Sequence, residues 1–129
     1  MSDYDNRWVS VFDSGGKYKY KTGGNKLLGP KGLAVSRTGD LVVVDNKASC
    51  VHIVQPMGKV IAKFGSRGSG TAQFAGPHYA AVNSHNNIII SDFHNHNIKV
   101  FYLTFVYSEI SHAGVYRGGS LHLQFWLQW

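Results

Sequence analysis

One short stretch of the chain places an acid and two histidines close enough together to hold a metal ion. Asp92, His94 and His96 supply the carboxylate oxygen and the imidazole nitrogens that zinc prefers. The acid has counterparts at Asp3 and Asp45, whereas a lysine and a serine stand at the histidine positions of the middle copy. An acid that recurs without the histidines indicates a structural role, in which its carboxylate accepts hydrogen bonds from backbone N–H groups of a turn. The sequence therefore predicts three structural turn acids and no metal site.

These acids belong to three copies of one repeating unit. Residues 92–101 align without a gap with residues 45–54, 47 positions earlier, and these align with residues 3–12, a further 42 positions earlier. The first offset also places Asn86 over Gly39, and both residue types tolerate the left-handed conformation of a tight turn. A repeat of this length indicates stacked supersecondary units, none of which can bury its hydrophobic face alone.

Each full unit is expected to form four short antiparallel strands. In the middle copy, residues 41–44 are apolar on both faces, which is typical of a strand covered by a sheet on each side. A glycine-containing turn at residues 55–58 joins the third strand to the fourth. Four-stranded units at this period indicate the blades of a β-propeller.

The sequence also resembles a known family, the NHL-repeat propellers. The connection FGSRGSGTAQFAGP at residues 64–77 is similar to the blade-to-blade links of that family, and DNRWVSVF and DNKASCVHIV resemble its repeats. The Asn-His-Leu triplet of the name is present as Asn95, His96 and Asn97, with the leucine replaced. The resemblance covers residues 3–101 and is strongest toward propellers of the tripartite-motif (TRIM) proteins.

NHL propellers resemble closed rings of about six blades, and this chain supplies only part of such a ring. The resemblance implies an all-β fold, a partial (open) NHL-type β-propeller with about two and a half four-stranded antiparallel blades. These are a partial blade at residues 3–28, a full blade at residues 29–75 and an incomplete blade at residues 76–101. An arc leaves its sheet edges exposed, so self-association through open blade edges is expected.

Residues 102–129 form a divergent aromatic tail, in which the markers of the next strand and link are lost. Its two aromatic, weakly charged stretches could pair as an improvised last strand or hairpin. They could equally be the translated end of a truncated or alternatively spliced transcript, under no folding constraint. This second interpretation is favoured.

The composition bounds the class of protein. The 129 residues carry a formal net charge of +6, and residues 17–67 hold ten lysines and arginines against two aspartates, a basic field that favours nucleic acid or acidic protein partners. The only cysteine, Cys50, excludes an internal disulfide and fits a reducing, cytoplasmic location. No apolar run approaches the roughly 18 residues of a membrane span, and the first residues lack the apolar core of a signal peptide. No membrane partner is expected.

In a propeller, the loops that join second to third strands and those that join blades emerge on one common face. Cations beside exposed aromatic rings on such a face can contact phosphates while bases stack, as single-stranded RNA binding requires. Among the tripartite-motif propellers that this chain resembles, several bind RNA and others bind proteins. The predicted binding face consists of Lys26, Lys31, Lys47, Arg67, His78, Tyr79, Phe93, His94 and His96.

The resemblance implies a non-catalytic recognition module, like the partner-binding propeller of a RING-type E3 ubiquitin ligase that selects a protein substrate for ubiquitination. Any ligase activity would lie in a RING region absent from this chain, because one cysteine and seven scattered histidines cannot supply about eight closely spaced zinc ligands. Single-stranded RNA binding through the same face is the alternative.

Catalysis has little support in the sequence. The seven histidines are scattered, and no glycine-rich phosphate loop precedes a helix. Some NHL-related propellers are lyases that use a metal and disulfides, and a single cysteine argues against that class. The sequence therefore predicts no enzyme, no catalytic residues and no cofactor.

Overall fold

The computed structural model describes residues 1–102 together with the backbone of residues 123–128. Its strands in chain order are β1 (Ser2–Asp3), β2 (Trp8–Phe12), β3 (Tyr18–Thr22), β4 (Pro30–Val35), β5 (Leu41–Asp45), β6 (Cys50–Val54), β7 (Val60–Phe64), β8 (Ser66–Arg67), β9 (Gln73–Phe74), β10 (Pro77–Val82), β11 (Asn87–Asp92), β12 (Asn97–Tyr102) and β13 (Leu123–Gln128). Two short 3₁₀ helices, Gly24–Lys26 and Phe93–Asn95, lie between them.

The strands form three antiparallel sheets in sequence order and one small parallel pair. The first sheet has the order β1-β2-β3, the second β4-β5-β6-β7 and the third β10-β11-β12-β13. The pair β8 and β9 lies in the link between the second and third sheets. The described chain is thus nearly all β and forms an open arc of sheets, which confirms the predicted partial propeller. Self-association through the open edges stays a prediction.

The second sheet is buried on both faces, because it lies between the first and third sheets. Consecutive side chains of each strand point to opposite sides and so pack against different neighbours. On one face, Val43 and Val54 pack with Val9 and Leu27 from the first sheet and its link. The other face packs against the third sheet, through Val42, Val44, Val51, Ile53, Ala62, Phe64, Phe74, Ile88, Ile90 and Phe101. The prediction that residues 41–44 form a strand covered on both sides is confirmed.

The third sheet takes its fourth strand from the tail. Strand β13 runs antiparallel to β12, with Gln128 opposite Asn97 and Leu127 opposite Ile98. Here the structure differs from the favoured interpretation of an unconstrained tail and agrees with the other one, an improvised last strand. The physical reason is that β12 would otherwise present a row of unpaired N–H and C=O groups at the sheet edge. The remainder of the predicted tail, residues 103–122 and 129, lies outside the described residues.

The second and third sheets approach each other closely at Gly32 in β4. A Cβ atom built there would meet the carbonyl oxygen of His78 and would lie 2.7 Å from the Cα of Tyr79. Both of these are backbone atoms of β10, so they cannot move aside as a flexible side chain could. Glycine is therefore required at this position by packing between the sheets.

The substitution Gly32→Ala is expected to lower the free energy of unfolding by about 1–3 kcal/mol, the usual cost of overpacking a core. Gly15→Ala is the matched control, because the nearest atom to its new Cβ, Asp13 Oδ1, lies 3.4 Å away. Urea denaturation of the two variants measures the difference. Equal stabilities would contradict the close approach of the two sheets.

Candidate functional site

Asp45 ends strand β5, and its buried carboxylate binds the link from the first sheet. Oδ2 accepts a hydrogen bond from the backbone N–H of Leu28 at 2.8 Å, and Oδ1 accepts one from Gly29 at 3.0 Å. Oδ1 also accepts the N–H of Ala48 at 2.9 Å, within the turn that follows. One carboxylate therefore fixes both the turn and the link between blades, which is the pattern expected of a structural acid.

Asp92 occupies the equivalent place in the third sheet. Its Oδ1 accepts the backbone N–H of Ala75 at 2.8 Å, and its Oδ2 accepts the side-chain amide of Asn95 at 2.7 Å. Asp3, the acid of the first copy, accepts hydrogen bonds from the backbone and side-chain N–H groups of Asn6 at 3.1 and 2.9 Å. These hydrogen bonds lower the pKa of Asp3, and the bond from the Asn6 side chain has the larger effect.

Sequence reasoning missed the charged partner of Asp92. The ammonium of Lys99 lies 2.6 Å from Asp92 Oδ2 and 2.9 Å from Asn97 Oδ1. Lys99 is 1% exposed and Asp92 is 0% exposed, so this is a fully buried ion pair. The repeat alignment contained the signal, since it places Lys99 over His52, each seven residues after its turn aspartate.

A second group that sequence reasoning missed joins Asp45 to Cys50 and His52. The Nε2 atom of His52 lies 3.6 Å from Asp45 Oδ2 and 3.5 Å from Cys50 Sγ, and all three residues are buried. Burial raises the pKa of Asp45, but the nearby His52 imidazole and hydrogen bonds from the backbone of Leu28, Ala48 and Gly29 outweigh it and lower the pKa to about 2. Burial and the nearby Asp45 charge raise the pKa of Cys50 to about 12, against an opposing effect of Lys63.

Several residues of the predicted binding face do lie together. The ring of His78 stacks on that of Phe93, with centroids 4.5 Å apart and an interplanar angle of 8°. Tyr79 meets His78 edge-on at 5.8 Å, and His94 meets Phe93 edge-on at 5.0 Å. Tyr79 is 63% exposed and Phe93 is 48% exposed, so these rings form an accessible aromatic group.

A lysine of the second sheet acts on this aromatic group. Partial desolvation lowers the pKa of His78, and the charges of Lys31 and His94 lower it further. Lys31 lies within strand β4, not in a loop as expected from the sequence, and its side chain is exposed. The β4 strand thus contributes a cation to a surface that is otherwise built by the third sheet.

Lys47 and Arg67 form an adjoining group. The guanidinium of Arg67 donates a hydrogen bond to the carbonyl oxygen of Lys47 at 2.8 Å. The side chain of Asn46 donates one to the carbonyl oxygen of Pro77 at 3.0 Å and thereby connects this group to the aromatic one. The name loop surface is used below for Lys31, Lys47, Arg67, His78, Tyr79, Phe93 and His94.

The remaining two predicted residues lie differently. The structure places Lys26 in a separate groove with Trp8, Gly58 and Val60, away from the loop surface. The reason is the 3₁₀ helix Gly24–Lys26, which turns the link before it reaches Asp45. His96 is exposed and follows the second 3₁₀ helix in a left-handed conformation, where its N–H bonds the carbonyl oxygen of Phe93.

Two segments of the chain, residues 27–54 and 74–101, match the NHL repeat family. No curated protein matches the sequence. Virginiamycin B lyase from Staphylococcus aureus is similar with a TM-score of 0.59 and 13% identity, over 74% of this chain and 31% of that chain. A streptogramin B lyase is similar with a TM-score of 0.62 and 14% identity, over 77% of this chain and 32% of that chain. Catalytically inactive virginiamycin B lyase from Staphylococcus aureus with quinupristin has a TM-score of 0.58 and 14% identity, over 74% of this chain and 31% of that chain.

These comparisons support an NHL-type propeller fold, and the chain spans about a third of the length of the similar structures. They do not support the narrower resemblance to the tripartite-motif family. No helix in the described part of the chain is long and apolar enough to cross a membrane.

The prediction that the chain is not an enzyme is corrected by the same comparisons. The similar structures are lyases, so a propeller of this fold can be catalytic. The single cysteine argues against a disulfide-containing lyase, but the fold of this chain is nevertheless similar to that of lyases. At 13–14% identity the likeness concerns the fold, and it assigns no particular reaction to these residues.

Asp92→Ala is expected to lower the free energy of unfolding by about 3 kcal/mol or more, because it leaves the Lys99 ammonium buried without its counter-ion. Asp3→Ala removes a turn acid that accepts exposed hydrogen bonds from Asn6 and belongs to no buried ion pair, so its loss should be clearly smaller. Chemical denaturation of the two variants tests this ranking. A similar loss for both would mean that the ion pair adds nothing to the turn.

Acid should selectively remove the contribution of Asp45. Its folded pKa of about 2 lies below the ordinary value of 3.8, so its stabilisation is complete above about pH 4 and disappears as the pH falls through about 2. Between about pH 5 and about pH 2, the wild-type chain should lose about 2 kcal/mol more than Asp45→Asn. Urea titrations with a chelator present measure this difference, and parallel pH profiles would contradict it.

Proposed function

We propose that this chain is a recognition module that binds a protein partner through the loop surface. NHL repeats suggest a propeller for protein interactions. The observation that carries the proposal is the accessible stack of His78 on Phe93, with Tyr79 beside it and the charge of Lys31 nearby. In this proposal residues 3–101 are the recognition unit, within the blade boundaries expected from the sequence.

The aromatic group has the properties of a binding hot spot. Tyrosine and arginine are enriched among the residues that carry most of the binding energy in protein interfaces. The stacked rings are already held in one arrangement, so little side-chain entropy remains to be lost when a partner binds. Rings exposed to about half or more of their area, such as Tyr79 and Phe93, gain from burial under a partner.

The charge of the surface indicates the chemistry of the partner. Lys31 lies close enough to the rings to lower the pKa of His78, Lys47 and Arg67 form the adjoining group, and the chain as a whole carries a formal charge of +6. A complementary partner would present an apolar or aromatic anchor with acidic residues next to it. Such complementarity raises the association rate and the specificity more than the affinity.

The resemblance to tripartite-motif propellers extends the proposal to a biological role. There, the partner would be a substrate selected for ubiquitination in the cytoplasm. A RING-type ligase module would have to be supplied from elsewhere, since this chain has one cysteine.

Selection of peptides from a displayed random library on the full 129-residue chain tests the proposal. Selected peptides should be acidic with an apolar anchor, and Phe93→Ala or Lys31→Glu should weaken their binding by about tenfold or more. Tyr18→Ala and Lys19→Glu are matched controls, because these exposed residues lie on the first sheet, outside the loop surface. Equal losses for controls and surface variants would refute the proposed site.

Titration of a uridine-rich single-stranded oligonucleotide provides the second arm. The protein proposal expects a dissociation constant weaker than about 10⁻⁴ M, the loose end of non-specific binding. Tighter binding that falls steeply with salt and is lost in Phe93→Ala would instead favour RNA as the ligand of this surface.

A further inference from the structure

The hairpin β5–β6 places three metal-ligating side chains on one face of the second sheet. Asp45 and Cys50 are directly opposite each other across the two strands. His52 follows Cys50 by two residues and therefore points to the same face. The exposed fractions are 0% for Asp45, 1% for Cys50 and 4% for His52, so the three donors share a dry environment.

The two distances that join His52 to the other donors are close to those of a tetrahedral zinc site. With Zn–S near 2.3 Å and Zn–N and Zn–O near 2.0–2.1 Å, tetrahedral angles give a sulfur–nitrogen edge of about 3.6 Å and a nitrogen–oxygen edge of about 3.4 Å. The structure has 3.5 Å between Cys50 Sγ and His52 Nε2, and 3.6 Å between His52 Nε2 and Asp45 Oδ2. All three donors lie within 4.8 Å of one another.

The equivalent positions in the third sheet are already occupied by a positive charge. There the Lys99 ammonium lies between the carboxylate of Asp92 and the amide oxygen of Asn97, at 2.6 and 2.9 Å. In the second sheet His52 replaces Lys99 and Cys50 replaces Asn97. His52 makes only long contacts to its neighbours, and its Nδ1 is buried with no hydrogen-bond partner among the described residues. The second sheet therefore lacks the close cation that its repeat partner has.

We propose that Asp45, Cys50 and His52 bind a zinc ion, which supplies that positive charge. A thiolate, an imidazole and a carboxylate form a donor set that zinc accepts, and the thiolate discriminates against magnesium and calcium. Three protein ligands leave the fourth position to a water molecule or another small donor. Since Asp45 also binds the backbone of Leu28 and Gly29, the ion stabilises the junction between the first and second sheets.

This proposal is independent of the loop surface and concerns residues other than the histidines first considered from the sequence. His94 and His96 are exposed, and they do not form part of the buried group. The proposed metal site therefore lies in the β5–β6 hairpin and not at those two histidines.

Titration of the metal-stripped, full-length chain with Co²⁺, under reducing conditions, tests the site directly. One equivalent should bind and produce the near-ultraviolet absorption of a thiolate bound to tetrahedral cobalt, because Cys50 is the only cysteine. Zinc should then displace the cobalt and raise the Tm, since it binds such sites more tightly and binds only the folded chain. Absence of the thiolate band in the wild-type chain would overturn the proposal without any variant.

Variants assign the ligands. Cys50→Ser should abolish the thiolate band, and His52→Gln should weaken zinc binding by about 100-fold or more, beyond the usual effect of losing an outer-shell partner. The matched control His94→Ala/His96→Ala keeps the buried group and should bind zinc like the wild-type chain. Loss of zinc binding in that control, with binding retained in Cys50→Ser, would place the metal on the exposed turn and contradict the proposal.

Discussion

The arrangement of the blades depends on a buried carboxylate at the end of the second strand of each full sheet. Asp45 and Asp92 each reach back to backbone N–H groups of the preceding link, at residues 28 and 75. A buried carboxylate costs several kcal/mol unless it is paired or hydrogen-bonded, so the link has little choice of path once the sheet forms. The same carboxylates also hold the turns that follow them, which decides where the loop surface emerges. His94 continues the connection, because its backbone N–H bonds the carbonyl oxygen of Ala75.

The two full sheets place different basic partners beside that carboxylate. The third sheet carries its own counter-ion, since the Lys99 ammonium lies 2.6 Å from the Asp92 carboxylate. The second sheet has His52, a weaker and longer partner, and a thiol at the position of Asn97. The two sheets therefore share the acid and its backbone contacts, while the residues beside the acid differ. Chemistry specific to this chain is most readily found at such divergent positions.

The repeat allowed much of the fold to be predicted from sequence. The offset between copies located the strands within a few residues, and the left-handed turn expected at Asn86 has a φ of 62°. Local patterns could not identify β13, because its pairing with β12 depends on an unpaired edge far away along the chain. They also could not reveal that His78 stacks on Phe93, since that contact depends on how β10 and the second 3₁₀ helix meet. The ion pair of Asp92 and Lys99 could have been predicted from the sequence, because Lys99 follows Asp92 at the same distance as His52 follows Asp45.

The position of the loop surface explains how an open arc of sheets can still hold these residues in one arrangement. Lys31 comes from the second sheet, whereas His78 and Tyr79 come from the third, so the surface spans a junction at which both sheets have their neighbour. Gly32 and the shared core of Phe64, Phe74 and Phe101 hold that junction together. The outer side of the first sheet has no such support, and Phe12 and Tyr18 remain about half exposed there. Completing the ring would thus matter most for the stability of the outer sheets, because the geometry of the loop surface depends on contacts that the arc already contains.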